Sequence, residues 1–290
     1  MKYGIYYAYW EKEWGGDYLP YIQKVKDLGF DVLEVACASF EKEPETYFEK
    51  LRIEAERVGI TLTGGYGPSF ERHIAAEDGN KVKQSFAYYQ NMFHKMQLAG
   101  IKSLGGALYS YWPVDYTRPV DKPGEWRRSM TAMQSLADLA ATFDITLNME
   151  VINRFEGYLL NTAEEGMEYV RAVDRENVKI MLDTFHMNIE EDSLTEAIKH
   201  AGASLGELHV GEANRRPPRE GRMDWKGIFS ALKAIRYDGL VVMEPFVQMG
   251  GQVGRDIKVF RDLSKGASQQ KLDKEAAASV AFLRRIAGEV

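Results

Sequence analysis

The chain repeats one pattern: an amphipathic stretch with an apolar residue about every three or four positions, a Gly or short polar turn, then a compact apolar run. It recurs as DLGFDVLEV, RVGITLTGG, LAGIKSLGG, TFDITLNMEV, RENVKIMLD, GASLGELHV and RYDGLVVMEP. Short, uniformly apolar runs are expected of strands covered on both faces, the environment of a parallel sheet. With an opening run near Tyr3–Tyr7, the pattern predicts eight strands at about 3–7, 32–36, 61–66, 103–107, 146–151, 178–183, 205–210 and 240–244. Helices are predicted at 18–28, 44–58, 78–99, 124–143, 162–173, 192–201 and 225–236, with a last one at 273–287. Gly29, Gly59, Gly100 and Gly239 fall where a helix end needs left-handed backbone. Asn161-Thr162 followed by Glu164 and Glu165 reads as an N-cap with acids in the first turn.

Strict alternation of strand and helix calls for parallel strands joined by helical crossovers. Eight such units in 290 residues favour closure into a single (β/α)8 TIM barrel, an α/β fold, over an open doubly wound sheet. The open sheet would carry a Gly-rich dinucleotide fingerprint after its first strand, and GIYYAYW has none. No Pro/Ser-rich linker or change of composition divides residues 1–290, so one domain is expected.

Four of the runs end on metal-ligating side chains: Glu150 (LNMEV), Asp183 (KIMLD), His209 (GELHV) and Glu244 (VVMEP). A buried, unpaired carboxylate is costly, so acids at the ends of core strands point to chemistry more than to packing. In a closed barrel the C-terminal ends of strands five to eight are neighbours at one mouth, where these four can surround one ion. Three carboxylates and one imidazole suit manganese, magnesium or cobalt better than structural zinc, which prefers thiolates. Taken singly, a strand-end acid is more often a solvated loop residue or a helix cap; the shared register of the four carries the assignment. The following loops bring Asn153, Arg154 and Glu156, then His186, then Glu212, Asn214 and Arg215, groups suited to hydroxyls and a carbonyl. Tyr6, Tyr9, Trp10 and Trp14, with Tyr109, Tyr111 and Trp112, gather at other strand ends. They would form an apolar wall opposite the polar one, as in a sugar pocket, or serve as core or subunit interface.

Composition narrows the partners. The net charge is −6, and basic residues cluster only at Arg127-Arg128 and Arg215-Arg216, which argues against nucleic acid. No apolar run approaches the roughly 18 residues of a membrane span, and the N-terminus lacks a signal-peptide layout. A single cysteine, Cys37, excludes an internal disulfide framework and fits a reducing, cytoplasmic setting. Cys37 reads as a small filler, and His73, His94 and His200 as surface residues without partners. The segment MGGQVGR fits either a phosphate-binding loop or a mobile lid.

At these residues the chain resembles the ketose 3-epimerases, the D-tagatose and D-psicose (D-allulose) 3-epimerases of the xylose-isomerase-like barrel superfamily. The resemblance runs nearly end to end, through GIYYAYWEKEW, GGALYSYWPVDY, EVINRFE, MLDTFHMNIEED, HVGEANR, GRMDW, VVMEPFV and RDLSKGA. It implies one manganese(II) or cobalt(II) per subunit on Glu150, Asp183, His209 and Glu244, with magnesium as an alternative. It also implies that Glu150 and Glu244 are the catalytic acid/base pair. Glu156, His186 and Arg215 are then the contacts to the first three oxygens of a ketose. Tyr6, Trp14, Gly65, Ala107, Trp112 and Phe246 form the looser wall around its far end. A homodimer or homotetramer acting on free ketohexoses at carbon 3 is the implied assembly and activity. An aldose–ketose isomerase, a keto-acid isomerase or an inosose dehydratase would use a similar metal site. A non-catalytic sugar-binding protein would account for the polar loops but not for two glutamates on separate strands.

Overall fold

Eight short parallel strands pair in chain order, and the last pairs with the first to close a barrel. They are β1 (Lys2–Tyr6), β2 (Val32–Ala36), β3 (Thr61–Gly65), β4 (Ser103–Gly106), β5 (Thr146–Glu150), β6 (Val178–Asp183), β7 (Leu205–Val210) and β8 (Leu240–Met243). The structure, a computed structural model, describes residues 1–219 and 221–290. The outer ring comprises α1 (Leu19–Asp27), α2 (Glu45–Val58), α3 (Gly79–Ala99), α4 (Lys122–Ala141) and α5 (Ala163–Val173), continued by α7 (Leu194–Ala201), α8 (Trp225–Ala234) and α10 (Gln269–Glu289). Between them lie the short α6 (Thr184–Glu190) and α9 (Gly251–Asp256). The (β/α)8 reading of the sequence is therefore the observed fold, with predicted bounds displaced by a few residues at most. No helix among the described residues is long and apolar enough to cross a membrane.

Two helices are absent from the sequence pattern. Asp183 ends β6 and caps α6 in the same step, its carboxylate accepting from the Phe185 amide at 2.7 Å, so no turn announces the helix. The Gly-rich segment, which fitted a phosphate-binding loop or a mobile lid, folds into the six-residue α9. At α5 the cap forms as expected, the Thr162 hydroxyl accepting from the Glu165 amide at 3.2 Å. Gly59 and Gly100 take left-handed backbone (φ 74° and 73°), but Gly239 does not. After α8 that conformation falls to Arg236 (φ 56°), three residues earlier, and the turn is complete before Gly239 is reached.

The register of the sheet sets up the mouth. Asp183 on β6 lies opposite His209 on β7, which lies opposite Val242 on β8. Glu244 follows β8 directly, its amide donating to the Val210 carbonyl at 3.3 Å. Because side chains alternate along a strand, Glu207 shares the inward face with His209.

The histidines depart from expectation. His200 is exposed, but His94 meets Glu45 at 3.1 Å, and His73 is buried, only 4% exposed, between the rings of Phe70 and Tyr111. Burial, reinforced by Lys81 and Arg128, holds the His73 pKa down at about 4. Between that value and the ordinary imidazole value near 6.5, the unfolded chain binds a proton that the folded chain refuses. Stability is therefore lost as pH falls through this window, by about 2 kcal/mol between pH 7 and pH 5. His73→Phe, which keeps the ring packing, is expected to lose that much less over the same interval. Equal losses in denaturant titrations of metal-free wild type and variant would contradict this assignment. Cys37 is buried as expected, and burial pushes its thiol well above the usual range, leaving it inert.

Candidate active site at the barrel mouth

One donor atom from each of Glu150, Asp183, His209 and Glu244 lies within 4.8 Å of the other three. Each is fixed by the element that carries it. The Tyr109 hydroxyl holds the Glu150 carbonyl at 2.8 Å at the end of β5. Asp183 spends Oδ1 on the cap of α6, which leaves Oδ2 for the cluster. His209 turns Nδ1 to within 3.7 Å of Glu244 Oε2.

Electrostatics show what this group of acids lacks. Burial, then the charges of Glu244 and Asp183, push the Glu150 carboxyl well above the usual range. Burial opposes a charge on His209, yet Glu34 and Glu244 outweigh it and raise that imidazole well above its ordinary pKa. Three carboxylates and a ring nitrogen with no hydrogen-bond partner at Nδ1 thus demand positive charge at one point. A divalent cation would meet that demand in place of the imidazole proton, so the residues present fit a hard or borderline metal.

The polar wall stands beside this cluster. The Asn153 amide donates to His186 Nδ1 at 3.2 Å, and its side-chain nitrogen lies 2.7 Å from the same atom. Since Nδ1 accepts, the ring proton sits on Nε2, which faces Glu150 at 3.7 Å and Asp183 at 4.0 Å. Burial lowers the His186 pKa. Arg215 reaches Glu244 at 2.9 Å, Glu156 at 3.3 Å and Asp183 at 3.5 Å, with its guanidinium 3.8 Å above the Phe185 ring. Burial alone would raise the Glu156 carboxyl. His186, Arg215, Asn153 and Trp112 reverse that and hold it at about 2, so it is a carboxylate at any working pH. The Arg215 backbone is left-handed (φ 65°), a strained state for a side-chain-bearing residue. Glu212 keeps the loop in that shape, its carboxylate accepting from the Arg219 and Arg222 amides and the Trp225 indole at 3.0–3.1 Å.

A cavity of about 360 Å³ opens over these groups, the size of a small-molecule site. Tyr6, Trp14, Gly65, Ala107 and Trp112 line it together with Glu150, Glu156, His186, His209, Arg215 and Glu244. Asp183 and Phe246 do not reach its surface. Asp183 is turned into the cluster, and Phe246 backs the wall, 6.2 Å from both Tyr6 and Trp14. From above, α9 closes the apolar end with Gln252 and Asp256, whose carboxylate takes the Trp14 indole hydrogen at 2.8 Å. An acid turned inward from this helix fits a lid better than a phosphate cradle.

Asn153 and Glu212, which the sequence offers among the polar loop residues, brace Glu156, His186 and the Arg215 loop from behind the cavity lining, whereas Asp256, Glu34 and Glu207 escape a reading of strand ends. Glu34 and Glu207 lie on the cavity's underside, 1% and 0% exposed. Their signal is an acid inside an apolar strand, in VLEVA and GELHV, rather than at its end.

Comparison with known proteins agrees with this geometry. The model of the xylose isomerase-like TIM barrel family matches residues 22–284. The D-psicose 3-epimerase of Ruminiclostridium cellulolyticum is 50% identical over 286 residues, covering 99% of this chain and 98% of its own. That of Agrobacterium fabrum is 48% identical, covering 99% of this chain and 100% of its own. The crystal structure of D-psicose 3-epimerase with D-tagatose from Clostridium cellulolyticum superposes with a TM-score of 0.98 at 49% identity, covering 99% of each chain. On its barrel, its mouth and these full-length likenesses, the chain belongs to the xylose isomerase-like TIM barrel family and, within it, to the ketose 3-epimerases.

Proposed function

We propose that residues 1–290 form one catalytic domain that inverts carbon 3 of free ketohexoses, interconverting D-fructose with D-psicose and D-tagatose with D-sorbose. What carries the reading is the placement of Glu150 and Glu244, on β5 and just after β8, on either side of the neighbours Asp183 and His209. Inversion needs two acid/base groups, because a single base returns the proton to the face it came from. One glutamate takes the proton from carbon 3, leaving an enediolate. The other delivers a proton to the opposite face, and their roles exchange for the reverse direction. Manganese(II) or cobalt(II), with magnesium as the alternative, supplies Lewis-acid polarisation of the carbon 2 carbonyl when held by Glu150, Asp183, His209 and Glu244.

The remaining groups orient the sugar. The His186 Nε2 proton and the Arg215 guanidinium donate to the first oxygens of the ketose, and the Glu156 carboxylate accepts from a hydroxyl. Tyr6, Trp14 and Trp112 cover the far end, where loose apolar contact admits more than one configuration at carbons 4 and 5. With D-fructose and manganese(II), the purified protein is expected to give D-psicose as the product. Glucose or mannose would mark an aldose–ketose isomerase instead. Binding without conversion would mark a sugar-binding protein.

A further inference from the structure

Beneath the four metal-ligating residues, the barrel interior holds polar side chains that the proposed reaction leaves without a task. Glu34 on β2, Thr63 on β3, Asn148 on β5 and Glu207 on β7 are each no more than 1% exposed. Two carboxylic acids in a barrel core are costly where aliphatic residues would pack freely, so their placement calls for a reason. Each is braced from the side. Thr63 Oγ1 donates to Glu34 Oε2 at 3.2 Å, and Ser103 Oγ donates to Glu207 Oε2 at 3.2 Å. Asn148 Nδ2 reaches Ser103 Oγ at 2.8 Å and Glu207 Oε2 at 3.4 Å.

The free oxygens of both acids point at one ring. Glu34 Oε1 lies 3.1 Å from His209 Nε2, at ion-pair distance, and Glu207 Oε1 lies 3.9 Å from the same nitrogen. The opposite nitrogen, Nδ1, faces the cluster beside Glu244. Neither ring nitrogen completes a hydrogen bond among the described residues, and Glu34 Oε1 is nearer to Nε2 than Glu207 Oε1 is. We propose that Glu34 is a positioning residue for His209: it accepts the Nε2 hydrogen, which leaves the Nδ1 lone pair turned toward the metal ligands. A carboxylate behind a ligating imidazole fixes both its tautomer and its aim, and losing such a partner typically weakens metal binding by about 10–100-fold. Thr63 then fixes Glu34, so the orientation passes from β3 through β2 to β7. The inference rests on the metal reading of the site given above.

Calorimetric titration of the metal-free protein with manganese(II) tests it without recourse to activity. Wild type is expected to bind one ion per chain. Glu34→Leu is expected to bind it about 10–100-fold more weakly, with the metal-free fold unchanged by circular dichroism and thermal melting. Glu34→Gln retains a carbonyl oxygen for the Nε2 hydrogen, with Thr63 able to accept from the new amide. It is expected to recover much of the lost affinity, which a purely structural role for Glu34 would not produce. If Glu34→Leu fails to fold, Glu34→Gln still carries the test through a smaller, measurable weakening. Wild-type affinity in either folded variant would overturn the proposal. So would two ions per wild-type chain, which would make Glu34, Glu207 and His209 a second cation site. A wild type that binds no manganese would instead overturn the metal reading itself.

Discussion

Replacing Glu150 or Glu244 by glutamine, one at a time, is expected to lower kcat by about 10²–10⁴-fold, the range of acid–base catalysis by a positioned side chain. Glutamine preserves shape and one carbonyl oxygen, so the cavity and much of the ligand geometry survive while the ability to carry a proton is lost. The effect should be severe at either position because in the proposed reaction each glutamate serves one face of carbon 3, and the other would have no path around the sugar to replace it. The environment of Glu150 suits this work. Burial and the neighbouring carboxylates make it a stronger base than a solvated glutamate, while His209 and Arg215 act in the opposite direction. Metal content has to be measured alongside, since both residues also belong to the proposed ligand set. Turnover within a few-fold of wild type in either variant, with metal retained, would reject the pair.

Removing the metal is the second large effect. Dialysis against a chelator is expected to bring turnover down to background, and manganese(II) or cobalt(II) is expected to restore it. Three carboxylates within 4.8 Å of one another repel once their counter-charge is gone, so the effect should extend to stability. At a free metal concentration one hundred times Kd, binding adds about 3 kcal/mol to the folded state. That should raise Tm by several degrees. Arg215 touches Glu244, Asp183 and Glu156, and so offers partial compensation in the metal-free protein, which should stay folded. Full activity after exhaustive chelation, with no shift in Tm on adding metal, would contradict the assignment of the cluster.

Much of this molecule can be read from its chain because a closed parallel barrel leaves a strong imprint. The strands are short and largely buried, the long helices carry an apolar stripe, and the register makes neighbours of Glu150, Asp183, His209 and Glu244 at the ends of β5 to β8. What escapes has specific causes. The helix α6 is hidden because Asp183 serves at once as strand end, cap and metal-cluster member. The turn after α8 uses Arg236 where glycine is the ordinary choice, so Gly239 misleads. His73 lies in a polar stretch, and only the packing of Phe70 and Tyr111 takes it out of water. Phe246 sits one ring behind the cavity surface, a distinction no linear pattern contains. Glu34 and Glu207 are the most instructive case. The same alternation that aims His209 inward also aims Glu207 inward, and the pairing of β1 with β2 sets Glu34 opposite Tyr6 on the cavity wall.

In the proposed reaction, two glutamates on opposite faces of one sugar exchange a proton at carbon 3. Its most direct test is the wild-type reaction with D-fructose in heavy water, stopped at low conversion and read by NMR. Two acid/base groups predict that newly formed D-psicose carries solvent deuterium at carbon 3 while the recovered D-fructose remains largely protiated there. Protium carried over into the product at carbon 3, or deuterium appearing at carbon 1, would contradict it.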